Sequence, residues 1–251
     1  MSAAGATMFA RFAFPPNLAG FCGPARPEEL FAYGAGLQAP DPGLDALARA
    51  FDGAWPYLEL LNSVAPANDP LGEQVVEAYW IGNALLTEVG AGPWGNHLVD
   101  RFRPRSGLAV DKITATVGVG GVPNHAFHVF GVYPWLGLLR EGLGGGEPLR
   151  VMDRCRIRWG SVLQVAGEHA TVRSRPLMWT GSALSLGNEA VETAECGAGG
   201  GLAGRLAPGD TVALHWDWVC QRLSPIQIKW LERVTLSQLE AVNRGPSEAF
   251  A

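Results

Sequence analysis

Lysine is almost missing from this chain. Of 19 cationic residues only Lys112 and Lys229 are lysines, and 24 acidic residues bring the net charge to −5. A nucleic-acid binder needs a basic field to collect phosphates, so this balance argues against one, and the arginine excess reads as coding-composition bias. Charge of either sign is scarce at 17%, against 47% hydrophobic residues. That ratio excludes a disordered chain, because enough apolar surface can be buried to offset the entropy of ordering. Cysteine is sparse as well: Cys22, Cys155, Cys196 and Cys220 stand far apart, with no Cys-x-x-Cys. Neither a small disulfide framework nor a zinc ribbon fits, and reduced thiols in a cytoplasmic protein are the expectation. Long hydrophobic runs are lacking too; the longest, residues 126–139, is interrupted by His128, Gly131 and Pro134. No membrane span is expected, since one needs about 18 or more apolar residues. Pro15, Pro16 and Asn17 break the N-terminus where a signal peptide would be continuously apolar. Gly118-Val-Gly-Gly is followed by no Gly-Lys-Ser/Thr, and no Gly-x-Gly-x-x-Gly is complete, which argues against nucleotide binding.

At 251 residues the chain has room for one large domain or two ordinary ones. The first 140 residues predict short helices punctuated by proline. Asp41-Pro42 sets an N-cap acceptor before a first-turn proline, with Leu44, Leu47, Ala48 and Phe51 on one face. Asp69-Pro70 repeats that signal ahead of Val75, Val76, Tyr79, Trp80 and Asn83, and residues 55–64 read as a further helix. The pattern changes after the glycine-rich stretch 142–147. Alternating apolar positions at Ile157, Trp159, Val162, Leu163 and Val165 indicate a strand, and Ala170, Val172 and Leu177 a second beyond a Gly167-Glu168 turn. Runs at 182–187, 189–196 and 211–216 bring the strands to five, enough for a small barrel. Ser224-Pro225 then caps a closing helix carrying Ile228, Leu231, Leu236 and Leu239. The expected fold is α+β: a mainly helical domain over 1–141, a glycine-rich linker at 142–150, and a five-stranded OB-like barrel with a C-terminal helix over 151–251.

Two motifs in the last hundred residues bear on function. Residues 155–172 read Cys-Arg-Ile-Arg-Trp-Gly-Ser-Val-Leu-Gln-Val-Ala-Gly-Glu-His-Ala-Thr-Val, a cysteine at the mouth of a strand followed by alternating valines. Pro208-Gly-Asp-Thr-Val-Ala-Leu-His215 follows some way on, then Cys220-Gln-Arg-Leu-Ser and the final helix. Over roughly residues 153–241 this resembles the HypC/HupF family of [NiFe]-hydrogenase maturation chaperones. The resemblance implies a barrel whose Cys155 binds or contacts a transient iron bearing cyanide and carbon monoxide, with His215 matching the family histidine as a metal- or partner-binding residue. It also implies two partners, the hydrogenase large subunit or its precursor and a HypD-type scaffold. The family cysteine is N-terminal after methionine removal, whereas Cys155 is internal, and Trp159 replaces the family proline. A thiolate is a soft ligand suited to low-spin iron, and Arg154, Arg156 and Arg158 are expected to favour the ionised thiol. Trp216 and Trp218 would shape the docking surface.

The N-terminal half offers further candidates. Phe14-Pro-Pro-Asn-Leu-Ala-Gly-Phe-Cys22-Gly-Pro sets a thiol in a rigid loop, and His125 and His128, three apart, would share a helix face. With Cys22 brought near, they could bind one metal. The aromatic segment 127–139 reads as core or as a docking stripe. Three functions follow: a binding factor for hydrogenase maturation, not an enzyme, using Cys155 and His215; a metal-dependent or thiol enzyme centred on Cys22, His125 and His128; or a structural interaction protein without iron chemistry.

Overall fold

The computed structural model describes residues 2–106, 115 and 117–244. Its organising element is α1 (Ala3–Leu18), a helix apolar on nearly every side, with Phe9, Phe12 and Ala13 fully buried. A helix without a polar face has to run through the interior, and α1 touches α2 (Pro27–Gly34), α3 (Pro42–Arg49), α5 (Glu73–Trp80) and two barrel strands. The sequence signals at Pro15 and Pro16 mark its last turn rather than a loop. Gly5 lets the chain before α5 cross closely: a Cβ there would stand 2.2 Å from the Leu71 carbonyl oxygen.

Asp41 caps α3 as expected, accepting from the backbone N–H of Gly43 at 2.8 Å. Asp69 does not open α5, which begins four residues later, at Glu73. Its carboxylate instead accepts from the Ser2 N–H at 2.6 Å and the Leu71 N–H at 3.1 Å, tying the start of α1 to a turn. The remaining helices are α4 (Trp55–Asn62), α6 (Ala91–Ser106), α7 (His125–Phe127), α8 (Trp135–Arg140) and α9 (Glu147–Cys155). A π-helical turn, His128–Val132, continues α7. The aromatic stretch around it is core, with Phe127, Val129 and Phe130 fully buried. Helix α9 begins inside the glycine-rich stretch and ends at Cys155, so that cysteine closes a helix instead of opening a strand.

The barrel is closed in the order β1-β2-β5-β7-β6, with β6 returning to β1. Its strands are β1 (Arg158–Ala166), β2 (His169–Ser174), β5 (Ala190–Glu195), β6 (Thr211–His215) and β7 (Trp218–Arg222). The run at 182–187 is not a barrel strand: β3 (Leu177–Trp179) and β4 (Leu184–Leu186) form a separate hairpin held to the C-terminal helix by Asn243, whose side chain bonds both the N–H and the C=O of Leu184 at 2.8 Å. The fifth barrel strand is β7, absent from the sequence reading because it follows β6 after only two residues. Val162, Val172, Val212, Leu214 and Val219 fill the barrel. The opposite side of β6 and β7 presents Ala213 and Cys220 to the larger core, which extends from Ala6 to Val242 and includes α1.

Helix α10 (Pro225–Arg244) is the last described element. Its start is a reciprocal cap: Ser224 Oγ accepts from the Gln227 N–H at 3.3 Å, and Gln227 Oε1 accepts from the Ser224 N–H at 3.0 Å. Leu231 and Leu239 pack inward, while Leu236 faces solvent.

Candidate functional site

Between α1, α7, α9 and the β6–β7 turn lies a cavity of about 110 Å³. Phe51, Tyr79, Trp80, Tyr133, Trp135 and Trp216 form much of its wall, and among the described residues no carboxylate, lysine or arginine lines it. Six of the seven sequence candidates line it: Cys22, His125, His128, Cys155, His215 and Trp216. Trp218 does not. Its ring stacks edge-on against Phe14 at 4.9 Å, fastening β7 to α1.

Three of these side chains form the tightest group. His125, Cys155 and His215 present donor atoms all within 4.8 Å of one another, and all three residues are buried. Cys155 Sγ lies 4.0 Å from His125 Nε2, and the two imidazole rings are 5.1 Å apart. Cys22 and His128 stand outside that group. His128 Nδ1 pairs with the Tyr57 hydroxyl at 3.0 Å, and Cys22 is at the half-buried rim beside exposed Phe21. The expected pairing of His125 with His128 on a helix face is therefore replaced by a pairing of His125 with His215, while His128 is turned to Tyr57.

The hydrogen bonds fix the imidazole tautomers. A carbonyl only accepts, so His215 donates from Nδ1 to the Phe12 oxygen at 2.6 Å. Phe12 can offer that oxygen because Pro16, four residues on, has no N–H to fill it. Nε2 of His215 consequently carries the lone pair, fully buried and with no hydrogen-bond partner of good geometry, while the Cys155 backbone carbonyl also faces the ring. His125 donates from Nε2 to the Cys155 carbonyl at 2.8 Å, and its Nδ1 accepts from the Tyr79 hydroxyl at 3.2 Å. The sequence marks Pro16 and Tyr79 only as a break and as a helix position, not as parts of a site. A proline pair inside an apolar helix was the available signal, since it always leaves carbonyls to be filled.

Burial sets the electrostatics. It lowers the His125 imidazole to about 4 and His128 to about 3, and it holds His215 well below the usual range. It raises the Cys22 thiol to about 12 and Cys155 further still. The expected arginine activation of Cys155 does not occur, because the cations are spent elsewhere. Arg156 pairs with Asp153 at 2.9 Å, and Arg158 and Arg154 both hold Glu192, at 3.1 and 2.8 Å. Burial would raise the Glu192 carboxyl, yet Arg158, Ser174 and Arg154 hold it below its ordinary value. Among the described residues, Trp216 favours the Cys155 thiolate, an effect that burial outweighs.

Trp216 is also the backbone exception, at φ +52° in the β6–β7 turn. Its N–H donates to the Arg154 carbonyl at 2.7 Å, and its own carbonyl accepts from Arg158 at 2.6 Å. These bonds hold a conformation that costs a non-glycine residue about 1–3 kcal/mol. The indole is thereby laid against Phe21, ring centres 4.1 Å apart, over the cavity.

The chain belongs to a family of unknown function, DUF6390, which matches residues 1–249 and so takes in helices and barrel together. No curated protein and no solved structure matches it.

Proposed function

We propose that this DUF6390 chain is a metal-holding accessory protein that serves [NiFe]-hydrogenase maturation through Cys155 and His215. One observation carries the reading: the two residues singled out by the HypC/HupF resemblance lie at opposite ends of the barrel sequence, yet their donor atoms fall within one buried cluster. The closed five-stranded barrel with its C-terminal helix agrees with it.

The cargo is an iron fragment, to which a thiolate supplies a soft, strongly donating ligand. His215 needs no proton loss to bind, since Nδ1 carries its hydrogen and Nε2 is already a lone pair. Cys155 must lose its proton on binding, because burial keeps the thiol neutral beforehand. Aromatic walls keep bulk water from the donors. The same burial favours binding over turnover, because a thiol raised to about 12, as at Cys22, makes a poor nucleophile.

The test is anaerobic co-purification with a [NiFe]-hydrogenase large-subunit precursor, followed by infrared spectra in the cyanide and carbonyl stretching region. Wild type is expected to carry precursor and iron signal, and Cys155→Ala to lose the iron. Equal iron signals in both, or no precursor captured, would overturn the reading.

A further inference from the structure

We infer that His125, supplied by the helical half of the chain, is a third metal ligand, so that one polypeptide holds a transition-metal ion between two imidazoles and one thiolate. The inference deepens the proposed use of the cavity and rests on its being a metal-holding site.

The geometry of the donors supports it. Two donors bound to one tetrahedral ion at about 2.1 and 2.3 Å stand roughly 3.6 Å apart. His125 Nε2 and Cys155 Sγ are 4.0 Å apart, and the whole group spans no more than 4.8 Å. Rotations of a few tenths of an ångström to about 1 Å close the set.

The surroundings of each imidazole fit the role. A ligating histidine holds its second nitrogen on an oxygen, which fixes ring and tautomer. His215 already does so through Nδ1 and the Phe12 carbonyl, leaving Nε2 fully buried and with no hydrogen-bond partner of good geometry. His125 can do the same through Tyr79. That hydroxyl donates to Nδ1 at 3.2 Å, but a hydroxyl also accepts, so the imidazole can move its hydrogen from Nε2 to Nδ1 and remain paired. Nε2 then leaves the Cys155 carbonyl for the ion. Tyr79 is in this sense a positioning residue, able to serve either tautomer.

Charge and access complete the description. Among the described residues no carboxylate lines the cavity, and the Cys155 thiolate is the anionic donor of the three. Three protein ligands leave a tetrahedral ion with a vacant position, as exchange-competent sites have and closed structural sites lack. Cys22, Tyr133 and Trp135 are half-buried and Phe21 is exposed, placing the mouth of the cavity at this end.

The experiment is anaerobic titration of the full chain with Co(II), following the thiolate-to-cobalt charge-transfer band, X-ray absorption of the cobalt adduct and protons released. Wild type is expected to show two imidazoles and one sulfur around cobalt, with about one proton released per ion because only the thiol titrates. His125→Gln should bind about 10–100-fold more weakly, and Tyr79→Phe about 10-fold, with circular dichroism unchanged. A wild-type adduct with one imidazole, or a His125→Gln titration matching wild type, would overturn the inference. The absorption measurement on wild type decides even if a variant fails to fold. Precursor capture with a one-imidazole adduct defeats this inference alone; a two-imidazole adduct without precursor capture defeats only the hydrogenase reading.

Discussion

Pro16 acts by what it lacks. In an ordinary helix the N–H of residue 16 would occupy the Phe12 carbonyl; here that oxygen is left for His215 at 2.6 Å. Pro16→Ala should therefore restore a helical hydrogen bond while taking away the acceptor that orients His215. The expected result is unchanged or higher thermal stability together with roughly tenfold weaker Co(II) binding, read by melting temperature and titration on the same sample. Stability and affinity moving in opposite directions would separate this role from simple packing. Tight metal binding by the Ala variant would show that His215 orients itself by other means.

At the scale of elements, helix α9 and the barrel are joined by charge. Arg158 is almost wholly buried and shares its guanidinium between Glu192 on β5, the Trp216 carbonyl and two carbonyls at the end of α9. Glu192 is thus the anion that permits a cation inside, and Glu192→Ala should cost about 3–5 kcal/mol, because removing one partner leaves a buried charge uncompensated. Urea unfolding measures it; a loss below 1 kcal/mol would mean that the carbonyls alone satisfy Arg158. The crossing of α1 over the approach to α5 is set by space instead. Gly5→Ala would push a methyl against the Leu71 carbonyl, and a loss of about 1–3 kcal/mol is expected.

For the molecule as a whole, three neutral imidazoles in one interior tie folding to pH. Their folded values lie below the ordinary 6.5, at about 4 for His125 and about 3 for His128. Between about 6.5 and 4 the unfolded chain binds protons that the folded chain refuses, so stability is full above that window and falls as pH drops through it. His125 alone accounts for on the order of 3 kcal/mol. Unfolding free energy should decline steeply from pH 7 to 4, and His125→Gln should flatten the slope. A pH-independent stability across this range would contradict the buried neutral state of these rings.

Local chemistry was legible along the chain. The Asp41 cap, the Ser224 cap, the first two barrel strands and the closing helix each rest on a few neighbouring residues, and periodicity or turn chemistry declares them. So did Cys22, Cys155, His125, His128 and His215 stand out as residues able to bind metal, by their atoms alone. Which of them meet was decided only by tertiary structure, because the group joins α7, the end of α9 and the end of β6. No spacing rule links positions 125, 155 and 215. The arginines beside Cys155 misled for the same reason: nearness in sequence suggested activation, while Asp153 and Glu192, brought up by folding, took their charge. The sequence determined which donors exist and which segments are helix or strand, since both depend on short-range atoms. The packing of α1, α5 and α9 around α7 and β6 determined their tautomers, their burial and their company, since these depend on atoms distant in the chain.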